Sequence, residues 1–243
     1  MLLQKFRRTA FFENLRRSGN PTAAFAWLRF RGAVFYSTHG HVMRYRAIAK
    51  YVSSTEEPRL QLGSGEVTLP GWLNSDLVRG DIYIDVERPL PLPDARFAYV
   101  FAEHLIEHVS EQDGMQLLRE IHRILRPGGV ARITTPDLPK IIALYEDRNP
   151  IVSRADYARF LDDITGRRHE RPCQIFNDFM RLWGHKYIYD EEDLAARLHQ
   201  AGFRRVERQE PRQSEHPQLQ DLERHGPEWE NHAEAMCLEA TRA

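Results

Sequence analysis

Arg59-Leu60-Gln61-Leu62-Gly63-Ser64-Gly65 decides the reading of this chain: a short strand that runs directly into a turn with two glycines. Outward from it, strands follow at Trp72–Leu77, Ile82–Val86 and Phe97–Ala102. The last is a near-continuous apolar run, the pattern of a strand buried on both faces. Ser110–Leu125 is an amphipathic helix with Met115, Leu118, Ile121 and Leu125 along one side, and Pro127-Gly128-Gly129 is its expected end. Val130–Thr135 is a fifth strand closed by Pro136-Asp137, and Leu138–Tyr145 is a further helix. Residues 146–188 show less regular patterning. Asp190 caps a helix that runs to Ala201 and Gly202 ends it. Phe203–Glu210 alternates as a strand, Pro211–Asn231 is polar, and Ala235–Ala240 is a last short strand. Strands that alternate with helices predict an α/β fold, a Rossmann-like, doubly wound and mostly parallel sheet.

Charge divides the chain. Residues 1–50 hold ten Lys and Arg against one acid, Glu13, within a total of 34 basic and 35 acidic residues. The remainder is therefore strongly acidic although the net charge is only −1. This predicts a basic helical extension over residues 1–54 and a separate domain over residues 55–243. Leu2–Arg17, Ala23–Phe30 and Val42–Val52 supply the extension's helical stretches. Its favoured role is a cap packed on the sheet or over a pocket, with its charges solvated. A membrane-surface helix at Leu2–Arg17 comes next. A nucleic-acid contact comes last, because the acidic body would repel phosphates.

Hydrophobic residues make up 42% of the chain and aromatics 10%, enough for a packed core. Two cysteines, Cys173 and Cys237, exclude a disulfide scaffold and a four-cysteine zinc site. The longest run free of Asp, Glu, Lys and Arg is Gly32–Met43, 12 residues, and a spanning helix needs about 20. The charges between Lys5 and Arg17 leave no apolar core for a secretory signal, so a cytoplasmic location is expected.

In a doubly wound sheet, ligands bind beyond the carboxyl ends of the strands. Those ends carry Gly63-Ser64-Gly65, Asp76, Asp85, Glu103-His104 and Pro136-Asp137. Two glycines admit a ligand close to the backbone, and a carboxylate can accept from both hydroxyls of a ribose. These stretches are joined by Pro70-Gly-Trp-Leu-Asn-Ser-Asp76, Pro89-Leu-Pro-Leu-Pro-Asp94, Glu103-His-Leu-Ile-Glu-His108 and Leu125-Arg-Pro-Gly-Gly-Val-Ala-Arg-Ile-Thr-Thr-Pro-Asp137. Together they resemble class I S-adenosylmethionine-dependent methyltransferases, in a branch of which some members are linked with surface-polysaccharide synthesis.

The resemblance spans residues 59–240 and implies seven strands, the last antiparallel. It implies S-adenosyl-L-methionine as cofactor, held by Leu62, Gly63, Ser64, Gly65, Asp76, Asp85, Val86 and Glu103. Asp76 would take the ribose hydroxyls and Asp85 the adenine amine. The implied reaction is methyl transfer to a nucleophile, expected to be a hydroxyl of a small molecule or of a sugar or glycan precursor. Two departures stand out. Gln61 and Val67 occupy places where the family has an acid and a third glycine. Only ten residues separate Gly65 from Asp76, and a parallel crossover typically needs about a dozen or more. The first crossover helix must be shortened or replaced by a loop. The departures also motivate an alternative, a cofactor-binding protein of this fold without catalysis.

His104-x-x-Glu107-His108 is the sharpest local feature, since on a helix this spacing shares one face. It matches an inverted zinc-protease signature, so a metal hydrolase is a further alternative, disfavoured because the motif follows a strand directly. It is also similar to Glu-x-x-Glu-His at this place in ubiquinone-pathway and small-RNA methyltransferases, which use a divalent metal. His104, Glu107 and His108 are then candidate ligands, with His185 as a further one. Without metal, His104 is the candidate general base, with Glu107 and His185 beside it in the catalytic set. Tyr187 and Tyr189 either line an acceptor pocket or simply pack.

Overall fold

The structure is a computed structural model and describes residues 21–36, 39–181 and 183–243. The helix expected at Leu2–Arg17 lies outside the described residues. Two helices come first, α1 (Pro21–Tyr36) and α2 (His39–Ser54). Strands β1 (Arg59–Leu62), β2 (Leu73–Asp76), β3 (Ile82–Tyr83) and β4 (Phe97–Glu103) follow. Helix α3 (Glu111–Ile124), strand β5 (Leu125–Pro136) and helices α4 (Leu138–Tyr145), α5 (Arg154–Thr165), α6 (Pro172–Arg181) and α7 (Glu191–Ala201) come next. Strand β6 (Phe203–Gln209), helix α8 (Glu228–Glu234) and strand β7 (Ala235–Arg242) close the chain.

The sheet has seven strands in the order β3-β2-β1-β4-β5-β7-β6, parallel except for β7, which runs antiparallel to β5 and β6. This is the expected Rossmann-like sheet. The order reverses between β1 and β4, where Leu62 pairs with Ser75 on one side and Ala102 on the other. That register brings Gly63, Asp76 and Glu103 to one sheet edge.

Alternation along β4 builds two cores. Val100 and Ala102 face Leu60, Leu62 and the buried side of α3, joined by Ile48 and Val52 of α2. Phe101 faces the other way, onto Trp72, Val130, Leu219 and Leu222. Helix α3 starts where Ser110 accepts from the Asp113 N–H at 3.2 Å, satisfying one of its open donors. It ends at Ile124, and Leu125 already belongs to β5. Pro127-Gly128-Gly129 is thus not a helix terminator but an irregular start to β5. A Cβ on Gly129 would sit 3.1 Å from the Ala98 carbonyl oxygen, so only glycine lets the two backbones meet there.

Between β1 and β2 a loop replaces the crossover helix, as the short spacing requires. Side chains hold that loop. Gln61 donates to the Val67 carbonyl at 3.0 Å. Asn74 accepts from the Leu69 N–H at 2.7 Å and donates to the carbonyls of Leu69 and Trp72. Strand β3 stops at Tyr83, shorter than expected. Residues 146–188 hold two helices that the sequence pattern left unassigned, and α8 lies in the polar stretch. α5 and α6 build a third core from Leu161, Ile175 and Phe179 with Tyr157.

His169 ties α5 to α6. Its Nδ1 lies 2.6 Å from Asp162 and its Nε2 2.8 Å from Asp178, with a side chain 2% exposed. Burial alone would lower its pKa, but the bonds to Asp178 and Asp162 raise it above the ordinary value. The unfolded value is about 6.5, so this stabilisation is complete below it and disappears as pH rises through the higher folded value. His169→Ala should therefore lower the melting temperature in mildly acidic buffer, and the gap to wild type should close in alkaline buffer. A gap independent of pH would refute this role.

Candidate functional site

Both glycines of the turn after β1 take left-handed backbone, Gly63 at φ +66 and Gly65 at φ +52. A Cβ on Gly63 would strike the Leu105 side chain at 2.8 Å, whereas one on Gly65 would meet nothing within 4 Å. The open side of Gly65 is a cavity of about 480 Å³, within the range of small-molecule sites. Asp76 lines it and is held in place. Its Oδ2 accepts from the Gly65 N–H at 3.3 Å and its Oδ1 from the Val78 N–H at 2.7 Å. The Arg79 N–H also donates to Oδ1 at 3.1 Å, so of the about four acceptor sites on the two oxygens one, on Oδ2, is left for a ribose hydroxyl. Ile84 and Val86 supply an apolar wall for a base, and Leu105 and Val109 lie further in.

Not every expected contact comes together here. Asp85 is buried, but its carboxylate lies 3.3 Å from Arg29 and 3.5 Å from Arg88 and does not line the cavity. Its neighbours Ile84 and Val86 line it instead. Leu62 points into the core, and the Ser64 hydroxyl is buried without a hydrogen-bond partner behind the turn. Arg29 and Ala26 bring α1 to the cavity wall, and Arg29 and Lys186 both pair with Glu87. The glycine turn, the ribose-type carboxylate and the apolar wall fit an adenosyl cofactor.

The far wall is built at the end of β4. Glu103 accepts from the backbone N–H groups of Arg224 at 3.3 Å and His225 at 2.9 Å, and burial raises its pKa. His104 then takes a left-handed conformation, φ +46, rare for a residue with a Cβ. Ile106–His108 is one turn of 3-10 helix. The motif therefore does not share one α-helical face, and the long helix a zinc-protease reading needs is absent from these described residues. The left-handed turn folds His104 back, so that its Nδ1 lies 3.2 Å from Glu107 Oε1.

Glu107 is fully buried. It accepts from the Thr135 hydroxyl at 2.9 Å, and its backbone carbonyl accepts from the Lys186 N–H at 2.7 Å. The latter bond draws the 184–187 loop inward, so that the His108 and His185 rings lie 5.1 Å apart. Ligand atoms of Glu107, His108 and His185 all lie within 4.8 Å of one another. His104 is not in that group. The metal-type cluster thus pairs Glu107 and His108 with the distant His185.

Charge follows from this packing. Burial would raise the Glu107 carboxyl, but His104, His108 and His185 hold it down at about 2. Burial would lower His104, but the bond and charge of Glu107 raise it to about 9. His185 has no such bond, and burial pushes it down to about 4.

A second cavity, about 380 Å³, opens on the other side of this wall. Phe160, Phe179 and Trp183 line it, with Pro136 and His185. Glu230 and Glu234 of α8 face it too, and burial together with the charge of Glu234 raises Glu230 to about 8. Three residues line both cavities: His104, His108 and His225. His225 escaped the sequence reading because it sits in the polar stretch, where Arg-His-Gly-Pro was the only signal. Asp137 is engaged by Arg208 at 2.7 Å. Tyr187 and Tyr189 pack on each other at 4.7 Å and line neither cavity.

Residues 60–133 match the family model described as a methyltransferase domain. No curated protein matches the chain. Among solved structures, similarity is found to an S-adenosylmethionine-dependent methyltransferase of Thermotoga maritima described as a possible histamine N-methyltransferase. It is 16% identical, with 89% of this chain and 98% of that chain covered and a TM-score of 0.45. An S-adenosylmethionine-dependent methyltransferase of Archaeoglobus fulgidus is also 16% identical, covering 88% and 99% with a TM-score of 0.45. A Haemonchus contortus phosphoethanolamine N-methyltransferase in complex with S-adenosylhomocysteine is 14% identical, covering 81% of this chain and 51% of that one with a TM-score of 0.45. The matched segment begins in the strand that opens the glycine turn and ends in β5, so it supplies most of the residues that line the cavity. On that match, residues 60–133 carry a methyltransferase domain, set in the Rossmann-like sheet described above.

Proposed function

We propose that this enzyme methylates a hydroxyl of a small molecule, a sugar or glycan precursor, seated in the second cavity. The observation that carries the reading is the shared wall: His104, His108 and His225 belong to both cavities. The two cavities adjoin at these side chains, which is where the acceptor oxygen would come into line with the methyl carbon as its bond to sulfur breaks. The cofactor, when bound, supplies the methyl group on a sulfonium. Everything else is the work of this chain. The carboxyl groups of Glu230 and Glu234 offer hydrogen bonds to hydroxyls, and the faces of Phe160 and Trp183 suit the apolar side of a sugar ring.

His104 is the proposed base. Its Nδ1 is fixed by Glu107, which leaves Nε2 for the acceptor proton. In the free protein its proton is held up to about pH 9. A sulfonium in the adjoining cavity repels that proton, so cofactor binding readies the imidazole to accept.

A metal-assisted form of the same reaction is favoured by one observation. The Nδ1 of His185 is buried without a hydrogen-bond partner, beside Glu107 and His108. Two imidazoles and a carboxylate fit a first-row divalent ion, and Glu107, His108 and His185 would hold it. Such an ion lowers the pKa of an acceptor hydroxyl.

Three measurements test these roles. Asp76→Ala should weaken S-adenosylmethionine binding about tenfold or more in calorimetry, as expected for lost hydrogen bonds to a charged group. Asp85→Ala should weaken it less, because that carboxylate faces Arg29 and Arg88. Equal losses would overturn the distinction between the two carboxylates. Next, near pH 8, binding of S-adenosylmethionine should release protons, read from calorimetry in buffers of different ionisation enthalpy. Uncharged S-adenosylhomocysteine should release fewer, and His104→Gln should abolish the difference. Identical proton counts for the two ligands would remove His104 from the reaction. Finally, Co²⁺ added to metal-stripped protein should give visible absorption bands that His185→Ala eliminates. No bands in the wild type would dismiss the metal.

A further inference from the structure

The N-terminal helix pair is built differently from the rest of the surface. The four most exposed large hydrophobic side chains among the described residues are Tyr45 at 69%, Phe30 at 68%, Met43 at 58% and Val34 at 53%, and all lie on α1 and α2. Val42 of α2 is a fifth, at 49%. Residues 21–54 also carry Arg29, Arg31, Arg44, Arg46 and Lys50 and not one acid, on a protein whose residues 55–243 are strongly acidic.

Helical geometry sorts these residues. Ile48 and Val52, four apart, turn inward to the main core. At about 100° per residue, Val42, Met43, Arg46 and Lys50 fall on the opposite side of α2. All four are exposed. On α1, Leu28 and Gly32 are buried and Phe30 and Val34 lie away from them. Aliphatic and aromatic groups interleaved with cations make an interfacial surface: apolar chains enter the headgroup boundary and cations meet anionic headgroups. Val42 and Met43 add aliphatic side chains that enter lipid and cannot stack on bases. No described helix is long and apolar enough to cross a membrane, so the contact is one of lying on the surface.

We propose that α1 and α2 dock this enzyme on an anionic lipid bilayer, through Phe30, Val42, Met43, Arg46 and Lys50. The charge asymmetry sets the orientation: the acidic body is repelled by the same surface that attracts the helix pair. Because Ala26 and Arg29 of α1 also wall the cofactor cavity, that cavity lies beside the docked face. The inference goes beyond the methyl-transfer reading and does not depend on it.

The test is co-sedimentation of the full chain with vesicles of phosphatidylcholine alone or with one quarter phosphatidylglycerol. Binding should need the anionic lipid and fall with added salt. Arg46→Ala and Lys50→Ala should each lower the partition coefficient about fivefold. Met43→Glu should lower it further, while Ile151→Glu, an exposed apolar position on another part of the molecule, should leave it unchanged. Thermal melts check that each variant is folded, and cofactor calorimetry on the same samples separates loss of docking from loss of the methyltransferase site. The proposal fails if wild type stays in the supernatant with anionic vesicles. It also fails if sedimentation survives the α2 substitutions, or if a single-stranded oligonucleotide competes it away.

Discussion

A guanidinium sealed inside the molecule holds the site together. Arg132 of β5 is fully buried on the face opposite the helix α3 core. Its Nε donates to Glu223 at 2.7 Å, Nη1 to Glu239 at 2.6 Å and to the Gln213 carbonyl at 2.8 Å, and Nη2 to Glu223 at 3.1 Å. Glu223 in turn accepts from the Thr134 hydroxyl and the Arg212 N–H. Removing ions from water costs several kcal/mol each, so such a centre persists only when its donors and acceptors are matched. Here the matching groups are Glu239 of β7 and partners from residues 210–223, a stretch with little regular structure. The ion network ties that stretch down on the sheet. Two residues later it delivers His225 to the wall between the cavities, where Glu103 catches its backbone.

The same logic explains the histidine wall. Glu107 is a buried anion whose charge is met by imidazoles from three directions and by the Thr135 hydroxyl. The left-handed backbone at His104 is strained for a residue with a side chain, and strain of this kind is kept where the surroundings fix it. Its amide donates to Thr134 at 2.9 Å and its ring is bound to Glu107, so both ends are fixed. The turn thus places an imidazole between two cavities, which a regular helix starting at His104 would not do.

Much of this was legible in the residues alone. The strands at Arg59, Leu73, Phe97 and Val130 announced themselves through apolar runs bounded by Gly, Pro and Asp. The spacing from Gly65 to Asp76 foretold a first crossover helix either shortened or replaced by a loop, and the loop is what forms. What stayed hidden was long-range. α5 carries a Ser153 cap and a Gly166 stop, but its charged residues obscured the apolar stripe of Tyr157, Ala158 and Leu161. Asp85 sits where an adenine contact is expected, yet Arg29, 56 positions away in the chain, claims it. Nothing near His225 in sequence tells that it faces His104. Gln61 read as a departure and Asn74 as one residue of a strand, and only the folded loop reveals that their side chains hold it.

That loop alters who guards the cofactor. With no crossover helix between β1 and β2, part of the shelter falls to α1, latched by Arg29 onto Asp85 and Glu87. The dwell time of a bound nucleoside is then governed by how firmly an appended helix stays latched, rather than by the sheet's own connections. Ligand residence and the state of the N-terminal segment become one equilibrium, in which each stabilises the other.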